Sequence, residues 1–296
     1  MCGIYGFCGN ATERTKENIE RLGLLNEARG WDSTGLAVIS GQECLIYKKA
    51  VNSTKFFSEY SNIKNGDIYK NFEFLTVLGH TRLATHGAVT DLNAHPFRNE
   101  DMVFTHNGIV SNFEELQEKY KTQYEVDSQV IGNILQEGDK EAFKNLRGMF
   151  TVPFVDMKES DILQVAIHNQ VFAFAYKGSE LYYSSDIKHL RTVFKGQGFQ
   201  ICNGGNNLLY KFYLINNQEF AIGSEKIEAK AYKPSYVYPQ AIYLDAGARY
   251  NFRGRDEYLR DTYSDYDDFD GKPQPFPKNK KKKRGVGRYS SSLWNY

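Results

Sequence analysis

Residues 3–220 predict an α+β fold in which strands and helices are gathered in separate layers rather than in a strict βαβ repeat. Three observations carry this expectation. Short strand-like runs mix with a few amphipathic helical stretches in the first half of the chain, and a late group of five strand-like runs follows. The chain is also rich in Tyr (21) and Phe (20), residue types that favour β-structure. No internal repeat is present.

The elements follow in order. Gly3–Cys8 reads as a strand. Lys16–Ala28 reads as a helix with Ile19, Leu22, Leu25 and Ala28 on one face. Leu36–Ile39 and Cys44–Lys48 form a strand pair around Gly41. Phe74–Leu78 and Met102–Thr105 read as buried strands, and helices are expected at Phe113–Tyr120, Ser128–Gln136 and Lys140–Leu146. The late strands are Met149–Val155, Ile162–Ile167, Val171–Tyr176, Leu181–Ser184 and Asn207–Leu214. The folded domain is expected over residues 2–220. Residues 221–296 form a C-terminal extension that ends in an acidic aromatic stretch (261–270), three prolines and a basic run (278–284). Like-charge blocks with few aliphatic residues predict a tail that is largely disordered when free.

Composition narrows the function. A 296-residue chain with 41% hydrophobic and 25% charged residues is long enough for a substantial core. A formal net charge of +1 gives no global reason for a polyanionic partner. The basic run is a local candidate for nucleic-acid contact, against the alternative of a solubilising end. No run of about 20 apolar residues exists, so no membrane span is expected, and no basic-then-apolar leader opens the chain. Cys2, Cys8, Cys44 and Cys202 have neither metal-type nor disulfide-framework spacing, which fits a reducing, cytoplasmic location.

The second residue is chemically distinctive. Removing Met1 would leave Cys2 as the N-terminus, with a thiol and a free α-amine on one residue. Such an amine has a pKa of roughly 7.7–8.0, against about 8.5 for a thiol, so one residue can supply nucleophile and base. Alone, Cys2 reads equally as a small residue heading a strand. Four further blocks stand in order behind it: 29–35 (RGWDSTG), 79–87 (GHTRLATHG) running on to 93–97 (NAHPF), 104–109 (FTHNGI) and 126–128 (VDS).

With Cys2-Gly3-Ile4, these blocks resemble the class II (N-terminal nucleophile) glutamine amidotransferases and, within them, the glutaminase domain of glutamine–fructose-6-phosphate transaminase. The resemblance covers roughly residues 2–210. It implies a four-layer αββα sandwich of the N-terminal-nucleophile hydrolase type, L-glutamine as substrate, and no metal or organic cofactor. It implies that Cys2 attacks the amide while Asn107 and the Gly108 N–H hold the oxyanion. Arg82 would take the α-carboxylate, for which a guanidinium fork is suited, and Asp127 the α-ammonium. Thr85, His86 and Arg29 would line or flank the pocket.

Other readings of the same residues stand beside these. Asn107-Gly108 is also a tight-turn dipeptide, Asp127 is also a helix N-cap, and Arg82 is also a surface ion-pair residue. His80, His86, His95 and His106 match no standard zinc spacing, so no metal site is expected. Where the amino-sugar member has a Trp of its ammonia gate, this chain has Leu83, which puts that gate in question. Residues 221–296 are too few for an ammonia-using domain, so a separate synthase is the expected acceptor. The rivals are an N-terminal-nucleophile amidase acting on another amide and a catalytically silent binding module.

Overall fold

The first strand, β1 (Gly3–Asn10), has seven of its eight residues buried, so both of its faces must be covered. In an antiparallel sheet one face is usually left to water. The structure, a computed structural model, describes residues 2–59, 74–138 and 140–231. After β1 come α1 (Thr15–Asn26), β2 (Ser33–Ser40), β3 (Glu43–Lys49), α2 (Ser53–Glu59) and β4 (Phe74–Arg82). Next are β5 (Phe97–Asn99), β6 (Met102–Phe104), β7 (Asn107–Val110), α3 (Phe113–Tyr120) and α4 (Ile131–Gln136). Then come β8 (Arg147–Asp156), β9 (Leu163–His168), β10 (Ala173–Lys177), β11 (Glu180–Ser184) and α5 (Ile187–Val193). The described chain ends with β12 (Gln200–Asn203), β13 (Leu208–Ile215), β14 (Glu219–Lys226) and β15 (Lys230–Ala231).

Two sheets form. The first runs β12-β10-β11-β1-β4-β2-β3 and is antiparallel throughout. The second runs β14-β13-β9-β8-β6-β5, with β7 and a short parallel β15 also on β8. The strand period of two then sorts side chains into layers. Ile4 and Cys8 of β1, Ala37 and Ile39 of β2 and Leu78 of β4 meet Val103, Val155, Val165 and Phe212 of the second sheet. On the opposite face, Tyr5, Phe7, Leu36, Val38 and Val77 pack with Ile19 and Leu22 of α1, Phe56 of α2 and Leu190 of α5. On the far side, Phe104, Val152 and Phe154 pack with Leu116 of α3 and Ile131 and Ile134 of α4. The architecture is therefore the expected α–β–β–α sandwich. Each large apolar side chain fully buried in these three interfaces contributes about 1.5–3 kcal/mol.

The differences from the sequence expectation are local. The first helix leaves α-geometry at Asn26 and finishes as a 3-10 turn (Glu27–Arg29), so Ala28 points to solvent instead of lying on the packed face. At that change Asn26 is buried, and its side-chain amide donates to Leu22 O at 2.8 Å and to Ser184 Oγ at 3.1 Å. Lys140–Asn145 is likewise 3-10 rather than α-helical. The edge strand β14 runs across residue 220, the expected end of the domain, and Ile227 beyond it is buried. The charged tail at 261–284 lies outside the described residues. Among the described residues, no helix is long and apolar enough to cross a membrane.

Candidate active site

Cys2 precedes β1, and the antiparallel register Gly3↔Thr81 between β1 and β4 brings it to the end of β4, where Arg82 stands. Gly3 is what lets the strand start so close to its neighbours: a Cβ there would lie 2.5 Å from Thr81 Oγ1 and 2.7 Å from Asn26 Oδ1. The Leu83 N–H donates to Cys2 Sγ at 3.4 Å, and the thiol reaches the Leu83 carbonyl at 3.5 Å. Arg29 Nε donates to the Cys2 carbonyl at 3.1 Å. Burial pushes the Cys2 thiol up; the Leu83 amide and the Arg82 charge oppose this, and the Asp127 charge adds to it.

Arg82 is buried, and its two terminal nitrogens donate to loop carbonyls, Nη1 to Ala88 O at 3.1 Å and Nη2 to His86 O. This replaces the surface ion pair that a lone Arg suggests. Thr85 and His86 themselves are exposed on the loop that follows β4, and it is the His86 backbone, not its imidazole, that reaches Arg82. Asp32, within the 29–35 block, carries no sequence signal of its own but joins the site through its bonds. Its N–H bonds Arg82 O at 2.9 Å and its Oδ2 accepts from the Ala84 N–H at 2.7 Å, so it fixes the backbone on both sides of Leu83.

Asp127 is buried at the start of a 3-10 turn (Asp127–Val130) whose N-cap position is Val126. The alternative capping reading is therefore not what its carboxylate does. Oδ2 instead accepts the Val110 N–H of β7 at 2.9 Å, joining this turn to the strand that carries Asn107 and Gly108. That strand also takes the place of the alternative turn reading: Asn107 pairs with Thr151 and Gly108 with Phe150 on β8. Gly108 has φ +146°, and a Cβ on it would come within 1.9 Å of Met149 O. No residue with a side chain fits there. Asn107 is buried, and its Nδ2 has no hydrogen-bond partner among the described residues. A buried donor left unpaired is available to an acceptor that arrives from outside.

Beneath these groups lie three buried histidines. His80 Nε2 donates to His106 O at 2.9 Å, and the His95 ring stacks on His80 at 4.0 Å. His106 Nδ1 lies 2.8 Å from Ser128 Oγ. Burial pulls all three downward, His80 to about 3, so near neutral pH this layer is uncharged. Among the described residues, no three His, Cys, Asp or Glu side chains converge as a metal-ligand set.

Residues 63–222 match the protein family described as "Glutamine amidotransferase domain"; Cys2 lies outside that span. Two relatives are glutamine–fructose-6-phosphate aminotransferases (isomerizing). The one from Bradyrhizobium diazoefficiens is 32% identical over 203 residues, 63% of this chain and 32% of the relative. The one from Fusobacterium nucleatum is 36% identical over 175 residues, 52% of this chain and 27% of the relative. The chain thus spans about a third of the length of these relatives. Glutamine phosphoribosylpyrophosphate amidotransferase from B. subtilis, solved with ADP and GMP, superposes with a TM-score of 0.59 at 18% identity, covering 77% of this chain and 49% of its own. A structure described as the allosteric regulatory enzyme of purine biosynthesis gives 0.60 at 18% identity, covering 78% and 50%. At that identity these two speak for the fold.

Proposed function

The chain belongs to the glutamine amidotransferase domain family, in its class II form, and on that premise we propose that it hydrolyses L-glutamine to L-glutamate and ammonia through a thioester on Cys2. The observation that carries this reading is that the Leu83 N–H donates to Cys2 Sγ at 3.4 Å, one residue past the buried guanidinium fork of Arg82.

Arg82 takes the α-carboxylate of glutamine. Each of its Nη atoms has a second N–H beyond the one given to the loop, so the fork can meet a carboxylate without releasing His86 and Ala88. Asp127 takes the α-ammonium with the acceptor capacity that remains after the Val110 N–H. The δ-amide is then directed to Cys2.

Because burial pushes the Cys2 thiol up, the sulfur keeps its proton near neutrality until a base removes it. That base is the Cys2 α-amine, freed by removal of Met1 and titrating at roughly 7.7–8.0. The thiolate adds to the amide carbon, and the negative oxygen is met by Asn107 Nδ2 and the Gly108 N–H. The resulting α-ammonium gives its proton to the departing nitrogen, and ammonia leaves. Water, deprotonated by the same amine, attacks the thioester and releases glutamate and the free thiol. The step balances as glutamine plus water giving glutamate plus ammonia.

The nitrogen is passed to an acceptor enzyme, here proposed to be a separate synthase; a co-purification that yields no stable partner would count against it. All four cysteines are free, which supports a reducing, cytoplasmic location. The test of the activity is glutamate release from L-glutamine by protein whose intact mass shows Met1 removed, beside Cys2→Ala. Release that depends on Cys2 is expected; no release from correctly processed protein would sink the proposal.

A further inference from the structure

Lys48 stands on β3, the outermost strand of the first sheet, which supplies no group to the candidate site. Its Nζ donates to three backbone carbonyls, Ala94 O at 2.9 Å, Leu92 O at 3.1 Å and Pro96 O at 3.2 Å. It also lies 4.7 Å from the centroid of the Phe97 ring. An ammonium has three N–H donors and is costly to enclose unless all are used. Here all three are used, on one short stretch of the loop after β4.

That stretch connects to the site in two directions. Asn93 Nδ2 donates at 3.1 Å to Ala88 O, the carbonyl that also receives Arg82 Nη1. His95 stacks on His80, whose Nε2 bonds the carbonyl of His106, immediately before Asn107. A second tie lies beside the first: Asp91 accepts from Lys49 Nζ at 2.7 Å and from the Ala50 N–H at 2.8 Å. The Lys49–Asp91 pair is half-exposed and screened by solvent, so the half-buried Lys48 ammonium, with its three carbonyl partners, is the stronger anchor.

We infer that Lys48 is a positioning residue for the glutamine site. By gripping the carbonyls of Leu92, Ala94 and Pro96 it sets where the loop presents the backbone partners of Arg82 and holds His95 against His80. The inference rests on the glutaminase reading for its substrate but not for the grip itself.

The grip is expected to depend on pH. Burial pulls Lys48 down to about 8, against the charge of Asp91. Among the described residues, the titratable groups that face it are Asp91 from the loop and the uncharged His95, with Lys49 beside it on β3. β2, its strand neighbour, carries no titratable side chain. Above pH about 8 the amine loses its charge and one of three N–H donors, so one carbonyl is released.

The experiment compares wild type, Lys48→Met and Lys48→Arg as full chains. It reads KM and kcat for L-glutamine at pH 7 and 9, and amide hydrogen exchange across residues 84–96. Lys48→Met is expected to raise KM at pH 7 about tenfold with kcat within about twofold. Exchange should quicken in 84–96 but not in β1 or β4. The KM of wild type should rise between pH 7 and 9 by a larger factor than that of Lys48→Arg, whose guanidinium stays charged. Wild-type KM and loop exchange in Lys48→Met would overturn the inference, as would faster exchange throughout both sheets. If wild type releases no glutamate, the glutaminase reading fails while the exchange comparison still decides the Lys48 grip.

Discussion

His106 Nδ1 and Ser128 Oγ lie 2.8 Å apart in the interior, and this bond joins the residue before Asn107 to the residue after Asp127. Ser128 Oγ also sits 3.4 Å from Asp127 Oδ1. The two segments proposed to hold opposite ends of glutamine, its amide oxygen and its α-ammonium, are thereby kept at a fixed spacing. Ser128→Ala leaves the buried imidazole nitrogen unpaired, which costs about 1–3 kcal/mol. A urea unfolding midpoint lowered accordingly, with a several-fold higher glutamine KM, is expected. An unchanged midpoint would show that the bond contributes nothing.

Asn107→Ala separates catalysis from stability. Its Nδ2 has no partner among the described residues, so removing that donor breaks no bond seen there. Its proposed partner exists only once the thiolate has added to the amide, so the loss falls on kcat, by about 10²–10³. The thermal midpoint should stay within a few degrees of wild type. A kcat within tenfold of wild type would remove Asn107 from the oxyanion site.

Much of this was legible in the sequence. The runs of β1 and β4 and the helix Phe113–Tyr120 were placed by apolar pattern, because one-dimensional period reports burial directly. What escaped was set by long-range packing. The helix at Ile187–Val193 buries only Leu190 and Val193 and shows little stripe. The edge strand β14 is mostly exposed and polar, so it has no alternation to read. Asn107-Gly108 carries a turn signature, yet pairing with β8 makes it a strand that Gly alone can fit at φ +146°. Cys2 and Arg82 stand out through the family resemblance of the blocks that hold them, since alone the first reads equally as a residue heading a strand and the second as a surface ion-pair residue. The layer of His80, His95 and His106 could not, since only the sheet-to-sheet packing brings them together.

That histidine layer predicts acid sensitivity. The folded-state pKa values lie below the unfolded value of about 6.5, with His80 near 3. Below pH 6.5 the unfolded chain therefore binds protons that the folded chain excludes, and stability falls as pH falls. Each such histidine adds a slope of about 1.4 kcal/mol per pH unit once the unfolded chain is protonated. Urea unfolding between pH 7.5 and 5 should show stability flat above about 7 and falling below 6.5 with a slope of more than one proton. A flat profile down to pH 5 would mean that these rings are protonated in place.

Arg82→Lys tests the fork itself. A lysine keeps the charge near Cys2 but offers a point donor in place of two parallel N–H pairs. It cannot hold the His86 and Ala88 carbonyls and also meet both oxygens of a carboxylate. Losing one charge-assisted bond costs about 1.5–3 kcal/mol, or a rise of roughly 10- to 100-fold in glutamine KM. The chemistry at Cys2 is untouched in kind, so kcat should fall much less. The same variant should gain relative activity toward amides that lack an α-carboxylate, because the wild-type fork is left without an acceptor by such substrates. Measured side by side on L-glutamine and a simple primary amide, a KM on glutamine equal to that of wild type would place the carboxylate elsewhere.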